Sequence, residues 1–153
     1  MQGPMQRPLL ILAACLFAAN ASATLTVNLP WIKPLAGGAR AELYLTITST
    51  DPGELVAINT FAARTATLLA PGSGHKVARA MPLAAGTALD LAPGQYRVAL
   101  AGLVRPLKSG EHVPLTLVIR SAEGTRQELV ITAEVRPRSA AEDEAHAHHP
   151  HRH

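Results

Sequence analysis

The segment Ala41-Glu42-Leu43-Tyr44-Leu45-Thr46-Ile47-Thr48 decides the fold class of this 153-residue chain. Its odd positions are apolar and its even positions are polar or amphipathic, which is the period of two that a β-strand with one inward face requires. Similar runs rich in Val, Leu, Ile and Thr recur along the chain, separated by turns that contain Gly, Pro, Asp or Ser. This spacing is typical of an all-β sandwich.

Eight strands are predicted, and no long amphipathic helical period occurs before residue 138. The strands are expected near residues 25–28, 41–48, 55–60, 65–69, 76–80, 96–101, 115–120 and 128–135. The length and the 48% hydrophobic content allow one ordinary domain with a real core. The net charge is +3, but the basic residues are scattered and only 3% of residues are aromatic, so no nucleic-acid partner is expected.

The N-terminus carries the pattern of an export signal. Arg7 precedes an apolar run over residues 8–19, and Ala21-Ser22-Ala23 gives the small-x-small pattern of a signal-peptidase site. We therefore predict a signal peptide over residues 1–23, a mature chain from Thr24 and a periplasmic location. The run is too short to span a membrane, and no later stretch reaches the roughly 20 apolar residues that a span needs.

Cys15 offers an alternative maturation route. Leu12-Ala13-Ala14-Cys15 resembles a lipobox, whose cysteine would be acylated, although the apolar stretch before it is short. Cys15 is the only cysteine, so cleavage after Ala23 leaves none. That would exclude a disulfide framework, a cysteine-based zinc site, a thiol nucleophile and a blue-copper centre.

Two blocks of the mature sequence match a known pattern. The first is Pro30-Trp31-Ile32 with the glycine turn and strand that follow it, and the second runs from Leu91-Ala92-Pro93-Gly94-Gln95-Tyr96 to Leu117. Together they resemble PCuAC, a family of periplasmic copper chaperones that deliver copper to cytochrome oxidase. The resemblance covers most of residues 26–136 and implies a cupredoxin-like Greek-key β-sandwich over residues 24–137.

The copper ligands of that family do not carry over to this chain. The resemblance implies a Cu(I) site of two His and two Met, yet its final His-x-Met pair is replaced here by Arg97 and Ala99. The first His should lie near residues 68–70, which contain none, and the remaining Met falls near Ala80 or Met81. At most one ligand remains, and Arg97 places a permanent cation where the metal would sit. A substitute site built from three other side chains is conceivable; they are His75, Met81 and His112.

The composition changes abruptly after Pro137. Residues 138–153 contain nothing to bury and are expected to be disordered without a ligand. Neutral imidazole binds Cu(II), Ni(II) and Zn(II), and the usual affinity order favours Cu(II). Glu142, Asp143 and Glu144 could add oxygen ligands. The predicted metal ligands are the five histidines of this tail, which are His146, His148, His149, His151 and His153.

These observations predict a periplasmic copper-binding or copper-trafficking protein whose metal is carried by the tail. The sandwich would then dock on a membrane-bound oxidase, a transporter or another copper chaperone. Two alternatives stay open: an interaction or assembly module without a metal site of its own, and a zinc- or nickel-binding protein. No enzymatic activity is expected, because no nucleophile motif or paired carboxylates occur in a recognisable setting.

Overall fold

Short alternating runs form strands throughout the part of the chain that the computed structural model describes, which is residues 23–72 and 74–137 together with Gly3. Within these residues there are nine strands and no helix, which confirms the predicted all-β class. The strands are β1 (Leu25–Pro34), β2 (Arg40–Ser49), β3 (Gly53–Asn59), β4 (Ala63–Leu69), β5 (Met81–Leu83), β6 (Leu89–Leu91), β7 (Arg97–Leu103), β8 (His112–Ser121) and β9 (Arg126–Val135).

The strands are hydrogen-bonded in the order β4-β7-β2-β1-β9-β8-β3-β5, with β6 added beside β2. β1 and β9 run parallel, and the other pairings are antiparallel. The strands near the two ends of the chain therefore meet in the middle of the sheet order. No helix in the described part of the chain is long and apolar enough to cross a membrane.

The core follows the alternation that the sequence shows. On β2, Ala41, Leu43, Leu45 and Ile47 are all buried in the core cluster, as their odd positions predict. They pack with the inward side chains of the other strands, and burying this apolar area is the main stabilising term. Ser49 continues the same face, and its buried hydroxyl donates to the Asp51 carbonyl at 2.7 Å. The buried Ser49 hydroxyl therefore has a hydrogen-bond partner within the adjacent turn.

The predicted strand at residues 76–80 is wrong. Only Val77 makes an isolated bridge, to Leu69, and the strands lie further on, at β5 and β6. The physical reason is burial: Val77 is 63% exposed, whereas Met81 and Leu83 of β5 are buried in the core. The Ala70 amide bonds to the Lys76 carbonyl and the Ala78 amide to the Leu68 carbonyl, but this pairing with β4 is too short to form a strand.

β1 is longer than predicted because an irregularity at Leu29 and Pro30 interrupts the alternating pattern in its sequence. The pairing of β1 with β2 shifts register between Asn28 and Trp31, where Leu29 adopts a φ of 48° and Pro30 has no N–H to donate. The strand then resumes and runs to Pro34. The interruption breaks the period of two in the sequence without ending the strand.

Two places on the sheet matter for the site. Arg97 begins β7, and we call its surroundings the arginine end. Val135 ends β9, and we call its surroundings the exit end. Val135 pairs with Ile32, Ile32 with Leu43 and Leu43 with Val98, so the exit end lies within about one residue of the Arg97 row, on the third strand from β7.

Replacing Leu117 by alanine tests the assignment of the core. Leu117 is fully buried on β8, so Leu117→Ala should lower the free energy of unfolding by about 2–5 kcal/mol. Leu29→Ala is the matched control, because Leu29 is 73% exposed and its truncation creates no cavity. Urea unfolding of both variants measures the difference. Equal losses of stability would contradict the inward orientation of Leu117.

Candidate metal centre

The sequence resemblance implies copper ligands at Arg97 and Ala99 and near Leu69, and these three positions lie together on β4 and β7. Arg97 lies directly opposite Leu69 on the β4–β7 ladder, and Ala99 lies opposite Thr67. Cross-strand partners share one face of a sheet, so these four side chains point the same way. The residues between them, such as Val98, point into the core. A position at which the resemblance implies a ligand therefore lines the outer face of β4 and β7 together with its neighbours.

The side chain of Arg97 is bonded to the loop that covers this face. The Arg97 guanidinium is only 7% exposed, and it donates from Nη1 to the Gly72 carbonyl at 3.1 Å and from Nη2 to the Gly74 carbonyl at 2.6 Å. The Gly72 amide in turn donates to the Gly94 carbonyl at 3.1 Å. Gly72 has a φ of 117°, which a residue with a side chain rarely adopts. The loop is thus shaped to present two carbonyl oxygens to Arg97.

This arrangement gives the arginine end a cation of its own. Arginine stays protonated at all relevant pH values and has donors only. Its two acceptors here are neutral backbone carbonyls, so the positive charge is solvated but not neutralised. A Cu(I) or Cu(II) ion entering this pocket would meet a like charge and would have to displace two hydrogen bonds. The pocket is therefore unsuited to holding a metal ion.

The other candidate ligands at this end are hydrophobic core residues. Met81 is 0% exposed and pairs with Leu55 of β3, so its thioether is packed in the core. Leu68 and Leu69 are also buried and carry no ligand atom. The divergence from the family pattern is therefore a change of chemistry at each position.

The substitute site considered from the sequence is not assembled. Met81 pairs with Leu55, which pairs with Ile119 of β8, whereas His112 begins that same strand seven residues earlier. Seven residues of a strand span about 23 Å, so His112 and Met81 cannot share one ion. His75 is exposed in the loop after β4, beyond the Gly74 carbonyl that Arg97 binds. Among the described residues, no group of three or more His, Cys, Asp or Glu side chains could hold a metal ion.

The exit end carries a different pair of polar side chains. His112 lies directly opposite Glu134 on the β8–β9 ladder, and Trp31 is the partner of Glu134 on β1. Sequence reasoning missed Glu134, because 22 residues separate it from His112 and only the strand register brings them together. The signal that could have found it is the parity of β9, which puts Glu134 on the outer face between the buried Ala133 and Val135.

The charged side chains around this pair have partners of their own. Glu111 accepts hydrogen bonds from both terminal nitrogens of Arg105 and from the Lys108 amide. The Arg136 guanidinium lies over the Trp31 ring at 5.9 Å from its centroid, and one nitrogen is 4.0 Å from a Glu134 oxygen. Trp31 also contacts Tyr44, with ring centroids 5.0 Å apart. The outer face at the exit end therefore carries the half-buried Trp31 against the buried Tyr44, edged by charge.

The predicted tail ligands lie outside the described residues. They are His146, His148, His149, His151 and His153, and the acidic residues Glu142, Asp143 and Glu144 lie outside as well. The described chain ends at Pro137, two residues after Val135. The described chain therefore ends at the exit end.

Comparison with known proteins places the sandwich among copper-related domains. A family model described as "Putative lipoprotein LpqE-like" matches residues 25–131. No curated protein matches. The apo PCuAC domain of PmoF1 is 27% identical with a TM-score of 0.65, covering 74% of this chain and 94% of that domain.

Two further solved structures extend this comparison. DR1885 from Deinococcus radiodurans in its Cu(I) form is 25% identical with a TM-score of 0.57, covering 77% of this chain and 83% of the other. The copper-bound PCuAC domain of PmoF2 shares the fold at 24% identity and a TM-score of 0.61, covering 74% and 93% of the two chains. These likenesses confirm the predicted cupredoxin-like β-sandwich.

Substituting Arg97 tests its role at the arginine end. Arg97→Met removes two charge-assisted hydrogen bonds and should lower the free energy of unfolding by about 1.5–3 kcal/mol. Arg97→Lys should recover only part of this, because an ammonium cannot reproduce the fork of the guanidinium. Urea unfolding gives the stability, and hydrogen exchange of the Ala70 and Gly72 amides reports the loop.

The matched control for this experiment is Arg79→Met, which removes an exposed arginine from the same connection. It should leave both the unfolding midpoint and the two amides unchanged. If Arg97→Met behaves like this control, the guanidinium does not hold the loop.

Proposed function

The chain belongs to the LpqE-like family, whose domain is of the PCuAC type, and we propose that it is an exported copper-handling protein whose metal is bound by the C-terminal tail. In this proposal it is a binding protein and not an enzyme. Its parts are a signal peptide over residues 1–23, the sandwich over residues 24–137 and a metal-binding tail over residues 138–153. The family description as a lipoprotein supports export, and acylation of Cys15 stays as the alternative to cleavage after Ala23.

The observation that carries the proposal is that Arg97 occupies a position where the resemblance implies a copper ligand. Solved PCuAC domains with the same fold include copper-bound forms. In this chain the corresponding face presents Arg97, hydrogen-bonded to Gly72 and Gly74, and Ala99. A copper function retained by this chain therefore needs ligands elsewhere.

The tail supplies the only dense set of such ligands in the sequence. Five of the seven histidines fall between His146 and His153. Imidazole favours Cu(II) over Ni(II) and Zn(II) by the usual order, and several rings can reach one ion from a short segment. A competition experiment compares the affinities of the tail for the three metals. If Zn(II) or Ni(II) bound more tightly than Cu(II), the protein would be a zinc- or nickel-binding protein.

The sandwich would serve as the part that recognises a partner. The half-buried Trp31 lies on the outer face beside the buried Tyr44, and Arg136 and Glu134 edge Trp31 with both signs of charge. Aromatic and arginine side chains are enriched at the centres of protein interfaces. A membrane-bound oxidase, a transporter or another copper chaperone is the proposed partner.

A second candidate is an interaction or assembly module that has lost metal binding. The closed arginine end favours it, since that site no longer offers ligands. So does the strong exposure of Phe61, which is 97% accessible and lies beside the exposed Val104 at the exit end. Metal binding by the tail separates the two candidates.

Replacing the five tail histidines by alanine in the otherwise intact chain tests the proposal. The wild-type protein should bind Cu(II), and the variant should lose at least tenfold in affinity, because the imidazoles are the ligands. Isothermal titration at pH 7.4 measures both. The matched control is the double replacement His75→Ala with His112→Ala, which removes the two histidines outside the tail. It should cause a smaller loss of Cu(II) affinity. Equal Cu(II) binding with and without the tail histidines would refute the proposal.

Cu(I) gives an independent test of the sandwich itself. Under reducing conditions, the variant without tail histidines should hold no Cu(I) against a colorimetric Cu(I) chelator, because the soft ligands of the family are absent. Arg97 should also repel the ion. Retention of one equivalent of Cu(I) by this variant would show that the sandwich still contains a copper site.

A further inference from the structure

We infer that the part of the sandwich with Phe61 and Val104 is a docking surface for a bilayer that contains anionic phospholipid. The inference goes beyond the proposed function and does not depend on whether the tail binds a metal. Three connections form this surface, and they are residues 35–39 between β1 and β2, residues 60–62 between β3 and β4, and residues 104–111 between β7 and β8. We call it the loop surface.

Direct contacts hold the three connections together. The Val104 amide donates to the Ala62 carbonyl at 3.0 Å, which joins the β7–β8 connection to the β3–β4 connection. Pro106 lies against the β1–β2 turn, because a Cβ atom added to Gly38 would meet its ring at 3.6 Å. The Leu103 amide also donates to a carbonyl of this turn, at 3.1 Å. The loop surface is therefore one continuous surface.

Two large apolar side chains project from the loop surface into solvent. Phe61 is 97% exposed and Val104 is 64% exposed. The hydrogen bond between residues 62 and 104 puts the two at neighbouring positions. Burial of a fully exposed phenylalanine side chain shifts a binding equilibrium by roughly ten- to a hundredfold. Phe61 therefore gives this surface a strong preference for an apolar phase.

The loop surface also carries an excess of positive charge. Its connections and the adjoining strand ends are residues 35–40, 60–65 and 103–111, which contain four basic residues and one acidic residue. The acidic residue is Glu111, and its carboxylate accepts hydrogen bonds from both terminal nitrogens of Arg105. The negative charge of these segments is therefore neutralised within the surface.

The other three basic side chains are available to an anionic partner. Arg40, Arg64 and Lys108 are exposed, and none of their side chains makes an ion pair or a hydrogen bond within the described part of the chain. The stem of Arg64 packs on Gly102, where an added Cβ atom would lie 3.0 Å from the Arg64 Cβ atom. Since Gly102 precedes Val104 by two residues, this cation lies close to the apolar pair.

This combination favours a bilayer over a protein as the partner. The negative surface of an anionic bilayer attracts each nearby Lys or Arg, and its interface accepts Phe side chains beside them. A side chain that projects from a connection can enter lipid without a prepared cavity, whereas a protein partner must supply a pocket of matching shape. The periplasmic location proposed above provides such a surface, since membranes enclose that compartment.

Sedimentation with lipid vesicles tests the inference. The mature chain beginning at Thr24 is mixed, in the presence of EDTA, with phosphatidylcholine vesicles that contain about one third phosphatidylglycerol or none. The wild-type chain should bind the anionic vesicles at least about tenfold more strongly than the neutral ones. This binding should weaken as the salt concentration is raised, because the attraction is screened.

Two variants separate the apolar contribution from the charged one. Phe61→Ser should weaken binding to the anionic vesicles about tenfold, because the inserted ring is lost. Arg40→Gln combined with Arg64→Gln should weaken it about 25-fold, since each arginine near the membrane contributes about fivefold.

The matched controls change similar side chains elsewhere on the sandwich. Val77→Ser removes an exposed apolar side chain that bridges Leu69, at the end of β4 away from Phe61. Arg79→Gln combined with Arg126→Gln removes the same charge as the other double variant, from two exposed positions. Both controls should bind like the wild type, and urea unfolding should give one midpoint for all the variants.

Three results would overturn the inference. A wild-type chain that stays in the supernatant with anionic vesicles would leave the loop surface to a protein partner. Equal binding to the two kinds of vesicle would contradict the role of the charge, and binding that both loop-surface variants retain would place the contact elsewhere. Because EDTA removes metal throughout, none of these results bears on Cu(II) binding by the tail, and failure of the tail-histidine test would leave the vesicle result unchanged.

Discussion

The short parallel contact between β1 and β9 is the constraint on which the rest of the sandwich depends. It joins β4, β7, β2 and β1 to β9, β8, β3 and β5 through two residue pairs, Trp31 with Glu134 and Ile32 with Val135. The Arg136 amide adds a hydrogen bond to the Ile32 carbonyl at 3.0 Å. Because Ile32 and Val135 are fully buried, the junction is also part of the core. The same contact sets Trp31, Glu134 and His112 in one row at the exit end.

The arginine end is organised by the permanent positive charge of Arg97. A metal ion and a guanidinium are both cations that gather oxygen or nitrogen atoms around them, but a copper protein must exchange its ion. Arg97 gathers the Gly72 and Gly74 carbonyls permanently, and so gives the loop after β4 a fixed anchor. Arg97 therefore has a structural role at a position where the resemblance implies a ligand.

The alternation of apolar and polar residues predicted those strands whose position depends on burial of neighbouring residues in the sequence. The alternation over residues 41–48 identified an inward face correctly, whereas the run at residues 76–80 makes only a single bridge to β4 and forms no strand. The resemblance predicts that Arg97 stands in a ligand position, but its acceptors lie 23 and 25 residues away and follow from the fold. Glu134 was missed for the same reason, since register between distant strands cannot be derived from spacing. The tail histidines stay a prediction from composition.

Binding of the metal by the tail and not by the sandwich has a consequence for protein stability. A ligand stabilises a protein only to the extent that it prefers the folded chain over the unfolded one. Histidines in a terminal segment are available in both states, so an ion bound by the tail alone contributes little to the stability of the sandwich. Any stabilisation of the sandwich by Cu(II) would therefore need ligands that come together only in the folded chain.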